Sequence, residues 1–349
     1  MARYNTKDLF SKRNSMPPQT LHFVTLFNSY YLTRGLALYA SLEKQCPDFR
    51  LYVIAFDDVC LDILSKLALP SMVVISLKEF EDPELLSIKS TRTPGEYCWT
   101  CSSSSILYCI KTYNLNMCTY LDADMIFFDN PQIIIDEMGD KSILLTEHRL
   151  PEKNWKIEAA GIYCVQFMPF KNDKNGMQAL SWWRDRCIEW CYARIEDGKL
   201  GDQKYLDDWT TRFPGVHVMK HIGGGVAPWN VYRYTFPVRN NKIYVTEKKT
   251  NAEDGLIFYH FQSTRLYRIS GKVKAFYYPY DIALDRNTRH IYDIYETNIE
   301  DALALVRTID PLFARGFNTR IDYLKTTLRK VQKNLDFYLR TLAKTVLRK

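Results

Sequence analysis

Tyr120-Leu121-Asp122-Ala123-Asp124-Met125-Ile126-Phe127-Phe128 is an apolar run that meets two carboxylates and then resumes. It reads as a buried strand, a break, and a second strand. Asp122 and Asp124 lie two residues apart, so on an extended backbone both side chains point the same way. Two hard oxygen donors at the end of a buried strand suit a divalent cation such as Mn²⁺ or Mg²⁺ that also holds phosphates. Alone, the pair also fits a solvated acidic turn. The rest of the chain decides between the two.

Upstream, Leu21 to Phe27 is a β-type run ending in Asn28-Ser29-Tyr30-Tyr31, and Leu32 to Lys44 takes helical spacing. Leu51 to Phe56 is a second strand stopped by Asp57-Asp58, followed by a short helix and a third strand at Met72 to Leu77. Strands and helices alternating at this spacing predict a parallel sheet covered by helices on both faces. Ligands of such sheets bind at the carboxyl ends of the strands. Asn28 to Tyr31, Asp57-Asp58 and the 122–124 pair all fall on that edge. Ser102 to Tyr113 reads as a helix behind the central strand, and Gly161 to Met168 and Ile257 to Phe261 as later strands. His221 to Asn230 is a glycine-rich loop where backbone can approach a ligand closely.

The 349 residues suffice for one large α/β domain with an appendage, or for two domains. Aromatic residues reach 14%, which favours flat polar ligands such as bases or sugars. The stretch 1–20 is polar, so no signal peptide or N-terminal anchor is expected, and no apolar run approaches the roughly 20 residues that span a bilayer. A cytoplasmic placement is expected. Among the nine cysteines, Cys98/Cys101 and Cys187/Cys191 have zinc-like spacing, but their apolar surroundings favour buried free thiols. The net charge of +7 is concentrated at one end: residues 315–349 hold ten Lys/Arg against two acids, leaving the remainder at −1.

Six anchors in this order resemble glycosyltransferases of the GT-A fold, most closely those of glycosyltransferase family 8. They are Phe23 to Tyr31, the Tyr-Leu-Asp-Ala-Asp run, Gly161-Ile162-Tyr163, Gly201-Asp202-Gln203, Trp229-Asn230 and Tyr259-His260-Phe261. The resemblance implies a Rossmann-like, mixed but mainly parallel sheet flanked by helices, with a nucleotide sugar, a UDP-sugar, as donor. It implies a Mn²⁺ or Mg²⁺ site of Asp122, Asp124 and His260, the metal acting as Lewis acid as the nucleoside diphosphate leaves. It places Asn28 and Tyr30, backbone at Thr25, and Asp57 against the base and ribose, and Asp202-Gln203 beneath the anomeric carbon. A retaining hexosyl transfer to a glycan or lipid-linked acceptor follows from the likeness. Rival readings are an inverting transferase with Asp202, Asp207 or Glu147 as general base, and an inactive scaffold that binds glycan or nucleotide at a membrane.

The chain departs from the family pattern at three places. Ser102 to Ser105 stands where an Arg is usual, which leaves Arg92 as the substitute on offer. Ala159-Ala160 precedes Gly161 in place of Asn. Past His260 there is no Gly and Lys, so the phosphate cation expected is Arg265 or Arg268.

The organisation expected is a polar leader (1–20), a transferase domain (21–270) and a helical, basic appendage (271–349). From Ile321 to Val346 apolar residues recur at steps of three and four with bases opposite. That pattern suits an anionic membrane surface, such as the inner face of the plasma membrane, or packing in a homo-oligomer. Nucleic acid is not an expected partner, since no recognition motif accompanies the charge.

Overall fold

The computed structural model describes residues 20–150, 160–277 and 286–318. The basic helical pattern expected from 321 to 346 and the polar leader up to 19 lie outside the described residues. Among the described residues no helix is long and apolar enough to cross a membrane.

The main sheet has the spatial order Met72–Ser76, Phe49–Ala55, Leu21–Phe27, Met117–Leu121, Phe167–Lys171, Ile143–Glu147, Tyr163–Cys164, with Val216–Val218 beside Ile143–Glu147. The first four strands are mutually parallel. Phe167–Lys171 and Tyr163–Cys164 run against their neighbours, and Val216–Val218 is again parallel. This is the mixed, mainly parallel sheet expected. Leu21–Phe27 is flanked on both edges, which is why it carries apolar side chains at both parities. Phe23 and Phe27 face the layer of the Leu32–Gln45 helix, while Val24 and Leu26 face the Pro94–Thr112 and Lys174–Glu189 helices.

The Pro94–Thr112 helix begins eight residues before the Ser102 start expected. Its start signal is local: Thr93 accepts from the Glu96 N–H, Glu96 accepts from the Thr93 N–H, and Pro94 takes the first position. Gly161 to Met168, expected as one strand, instead turns and divides between the two antiparallel strands.

Residues 264–277 form a hairpin, with Thr264–Ile269 antiparallel to Lys272–Tyr277, so pairing crosses the expected boundary at 270/271. The Arg286–Arg307 helix then packs along Leu32–Gln45. Its Ala302, Leu303 and Val306 share a core with Phe23 and Phe27. The described residues 271–277 and 286–318 are therefore built into the body that carries the sheet.

Gly35 marks the tightest approach in this layer: a Cβ there would lie 2.3 Å from the ring of Phe27, itself only 3% exposed. Gly35→Ala is expected to lose roughly 1–2 kcal/mol of stability, because overpacking outweighs the gain in helix propensity. An unchanged denaturant midpoint would show that Phe27 has room to move.

Candidate active site

The Met117–Leu121 strand delivers Asp122 to the carboxyl edge of the sheet, where its backbone N–H donates to the Gln166 carbonyl at 3.2 Å. The chain turns at Asp124, whose carbonyl accepts from Phe261 N–H at 2.8 Å, and re-enters as Met125–Phe127. That short strand pairs antiparallel with Phe258–His260, setting His260 opposite Met125. The register brings the imidazole onto the carboxylates. His260 Nε2 lies 3.0 Å from Asp124 Oδ1 and 3.5 Å from Asp122 Oδ2. On its other side, Nδ1 donates to Gln166 Oε1 at 3.0 Å.

Burial and charge set the protonation of this group. Burial pushes Asp122 up to about 7, helped by the Asp124 charge and opposed by His260. Asp124 is buried too, but the charge and hydrogen bond of His260 outweigh that and hold it below the usual carboxylate range. Burial would lower His260, yet Asp124 raises it above an ordinary histidine. Asp202, 6% exposed, is pushed up to about 7 by burial and by Asp122, while the Ser102 hydroxyl holds it down. Four titratable groups thus share one field at one strand edge.

The donor set matches a hard divalent cation. Adjacent ligands around an octahedral ion at about 2.0–2.1 Å stand about 3 Å apart, close to the two spacings seen here. Among the described residues, however, no three His, Cys, Asp or Glu side chains stand open around a ready metal position. An imidazole ligates a metal only in its neutral form.

The remaining expected residues fall as follows. Thr25 is fully buried within its strand, with its hydroxyl unpartnered. Asn28 Oδ1 accepts from Tyr30 N–H at 3.0 Å, shaping the turn that leaves the Tyr30 ring 57% exposed. Asp57 holds that turn from outside: it accepts from the N–H and hydroxyl of Ser29 and caps the Asp58–Leu67 helix through Cys60 N–H. Gln203 donates to the Ala160 carbonyl at 2.7 Å, which ties the Asp202 turn to the residue before Gly161. Asp207 is engaged by Ile162 N–H and Lys204, whereas Glu147 ends its strand opposite Tyr163. Arg265 stands opposite Phe276 in the hairpin, with Arg268 further along and exposed.

Arg92 is not part of the group. It stacks on Tyr192 and donates to the Ile188 carbonyl at 3.1 Å, pinned where two helices meet. Cys187 and Cys191 are fully buried in an apolar layer, and burial pushes the Cys187 thiol well up. The glycine-rich loop packs against protein backbone: a Cβ at Gly223 would lie 1.8 Å from the Gly255 carbonyl oxygen.

Three contributors lay hidden in the sequence. Gln166, fully buried, braces Asp122 through its backbone and His260 through its side chain, and its Nε2 has no partner. Arg34, 6% exposed, donates to the Tyr30 and Thr264 carbonyls and helps hold Asp124 ionised. His148 accepts Trp229 Nε1 and Asn230 Nδ2 on its carbonyl, and Trp229 packs edge-on against His260. Only a Gln close to the Gly161-Ile162-Tyr163 strand could have drawn notice. The other two are set by contacts across more than 80 residues.

These features define a class: an α/β chain with a carboxylate–imidazole group at the carboxyl edge of its parallel strands, closed by a short second sheet. The chain belongs to the same family as YfnD of Bacillus subtilis (strain 168), itself uncharacterised. The two are 31% identical over 302 residues, covering 85% of this chain and 94% of that protein. YfnF of the same organism is 29% identical over 318 residues, covering 87% and 99%. No family model matches. Among solved structures, the galactosyltransferase LgtC in complex with donor and acceptor sugar analogues is similar at 14% identity and TM-score 0.49, over 82% of this chain and 96% of that one. Mouse xyloside xylosyltransferase 1 is similar at 12% identity and TM-score 0.45, over 70% and 98%.

Gln166→Met removes the acceptor for His260 Nδ1 while keeping volume. With Mn²⁺ held at the expected Asp122, Asp124 and His260 set, the change should weaken its binding about 10- to 100-fold in an EPR titration of the free ion. Unchanged affinity would show that His260 needs no such brace.

His148 gives a pH signature. Its Nδ1 donates to the Gly161 carbonyl at 3.0 Å, and burial pushes it down to about 4 from the ordinary 6.5. The unfolded chain therefore binds the extra proton first. The stability held at neutral pH declines as pH falls from about 6.5 to 4, by up to about 3 kcal/mol. His148→Asn preserves the donor without the titration, so wild type should lose stability against it across that window. A pH-independent gap between the two would refute this.

Proposed function

We propose that the chain is a metal-dependent glycosyltransferase that moves a hexose from a nucleotide sugar, a UDP-hexose, to a glycan or lipid-linked acceptor with retention of configuration. The observation that carries this reading is the convergence of Asp122, Asp124 and His260 at the edge where Asp202 also lies. Asp122, Asp124 and neutral His260 would hold Mn²⁺ or Mg²⁺, which supplies charge neutralisation for a departing diphosphate. Asn28 and Tyr30 offer an exposed turn and ring for the nucleoside, with Asp57 fixing the turn. Asp202, kept close to neutrality by burial, can hold a proton or accept one from a sugar hydroxyl. Gln203 keeps its amide oxygen as an acceptor, since its nitrogen is engaged by Ala160. The commitment of Asp207 to Ile162 and Lys204 disfavours it as the base of an inverting reaction. A lipid-linked acceptor would give the basic stretch after Arg315 a use at an anionic surface of the cytoplasmic membrane face.

Donor hydrolysis across a panel of nucleotide sugars with Mn²⁺ tests the reading. Turnover with at least one UDP-hexose is expected, abolished by chelation and lowered at least 100-fold in Asp124→Asn. No turnover together with no metal-dependent nucleotide binding would remove the enzyme reading and leave a scaffold.

A further inference from the structure

The segment that follows the Arg286–Arg307 helix returns to the first turn of the chain. Asp310, Leu312 to Asn318, Tyr30, Tyr31 and Arg34 line an open cavity of about 690 Å³, within the 300–1,000 Å³ range of small-molecule sites. Its walls carry two guanidinium groups, Arg34 and Arg315, against one carboxylate, Asp310. Asp310 is partly engaged, accepting from Leu312 N–H at 3.1 Å. The cavity connects to the candidate active site through backbone: Arg34 donates to the Thr264 carbonyl at 3.2 Å, Thr264 N–H donates to the Phe261 carbonyl at 3.0 Å, and Phe261 N–H donates to the Asp124 carbonyl at 2.8 Å.

The segment is braced at both ends. Arg307 donates twice to the Phe313 carbonyl, and Phe317–Asn318 adds as a parallel strand beside Leu266–Tyr267. Between these anchors Gly316 has φ +83°, and a Cβ there would lie 2.2 Å from the Tyr30 carbonyl oxygen. Only glycine lets the backbone pass this close. The consequence is a fixed place for Arg315. Its Nη1 donates to Ser29 Oγ at 2.9 Å, Ser29 Oγ donates to Asp57 Oδ2 at 2.7 Å, and its guanidinium carbon lies 5.9 Å from the Tyr30 ring centre.

We infer that Arg315, supported by buried Arg34, is the phosphate-binding cation of this site, and that residues 310–318 form the wall over the diphosphate of a nucleoside diphosphate. The inference rests on the nucleotide-sugar reading above and assigns to Arg315 the part expected of Arg265. Arginine suits it, since its planar fork reaches two phosphate oxygens while its face stays against an aromatic ring. Arg315 is exposed at the cavity, so exchanging its Ser29 bond for phosphate needs no rearrangement of the core.

The test is calorimetric binding of UDP and of uridine to the full chain with Mn²⁺, for wild type, Arg315→Gln, Arg315→Lys and Arg265→Gln. Arg315→Gln should weaken UDP at least tenfold and uridine less than twofold, with Arg315→Lys between. Equal UDP affinity in wild type and Arg315→Gln overturns the inference while leaving the nucleotide reading standing. So does a loss confined to Arg265→Gln. A wild-type chain that binds no UDP removes both.

Discussion

The pairing of His260 with Asp124 is the interaction on which the site depends. Two carboxylates at a strand edge repel each other, and burial disfavours the charged form of both. One imidazole between them relieves this: His260 lowers Asp124 and is itself raised by it, while burial raises Asp122. The imidazole thereby ties the two carboxylates together at the strand edge.

Every neighbour serves to keep that pairing in register. His260 cannot slide along its strand, because its own N–H donates to the Val226 carbonyl and Phe261 N–H donates to the Asp124 carbonyl. It cannot rotate freely, because Gln166 accepts from Nδ1 and Trp229 stands edge-on to the ring. Trp229 is in turn held by the His148 carbonyl. The glycine-rich loop between them supplies close passage for backbone, which is why it packs on Gly255.

The sequence was legible where local rules apply. Alternating strand and helix runs revealed the parallel half of the sheet, and Asp-x-Asp followed by a second strand revealed the edge. His260 came through the ordered set of anchors, since a single His in an apolar strand has no signature of its own. Gln166, Arg34 and His148 were not legible, because each acts through partners far away in the chain. The Arg92 substitution failed for a related reason: being the right residue type near the right helix says nothing about which way the side chain turns, and Tyr192 captured it. The early start of the Pro94–Thr112 helix was readable from Thr93-Pro94-Gly95-Glu96 and was passed over for the apolar run that follows.

The change of pattern near residue 271 has a physical origin other than a domain boundary. The central strands of the main sheet read as continuous apolar runs. Beyond it come a hairpin with one buried face and an amphipathic helix, both of which read as weaker hydrophobic signals. The helix buries Ile291, Tyr295 and Ile299 on the second-sheet side and Ala302, Leu303 and Val306 against the first-strand layer. That bridging is what returns residues 310–318 to Tyr30, nearly the whole described length of the chain away. A hydrophobic pattern measures how much of each element is covered, not whether two elements share a core. The two ends of the described chain therefore form one wall, although their sequences differ in kind.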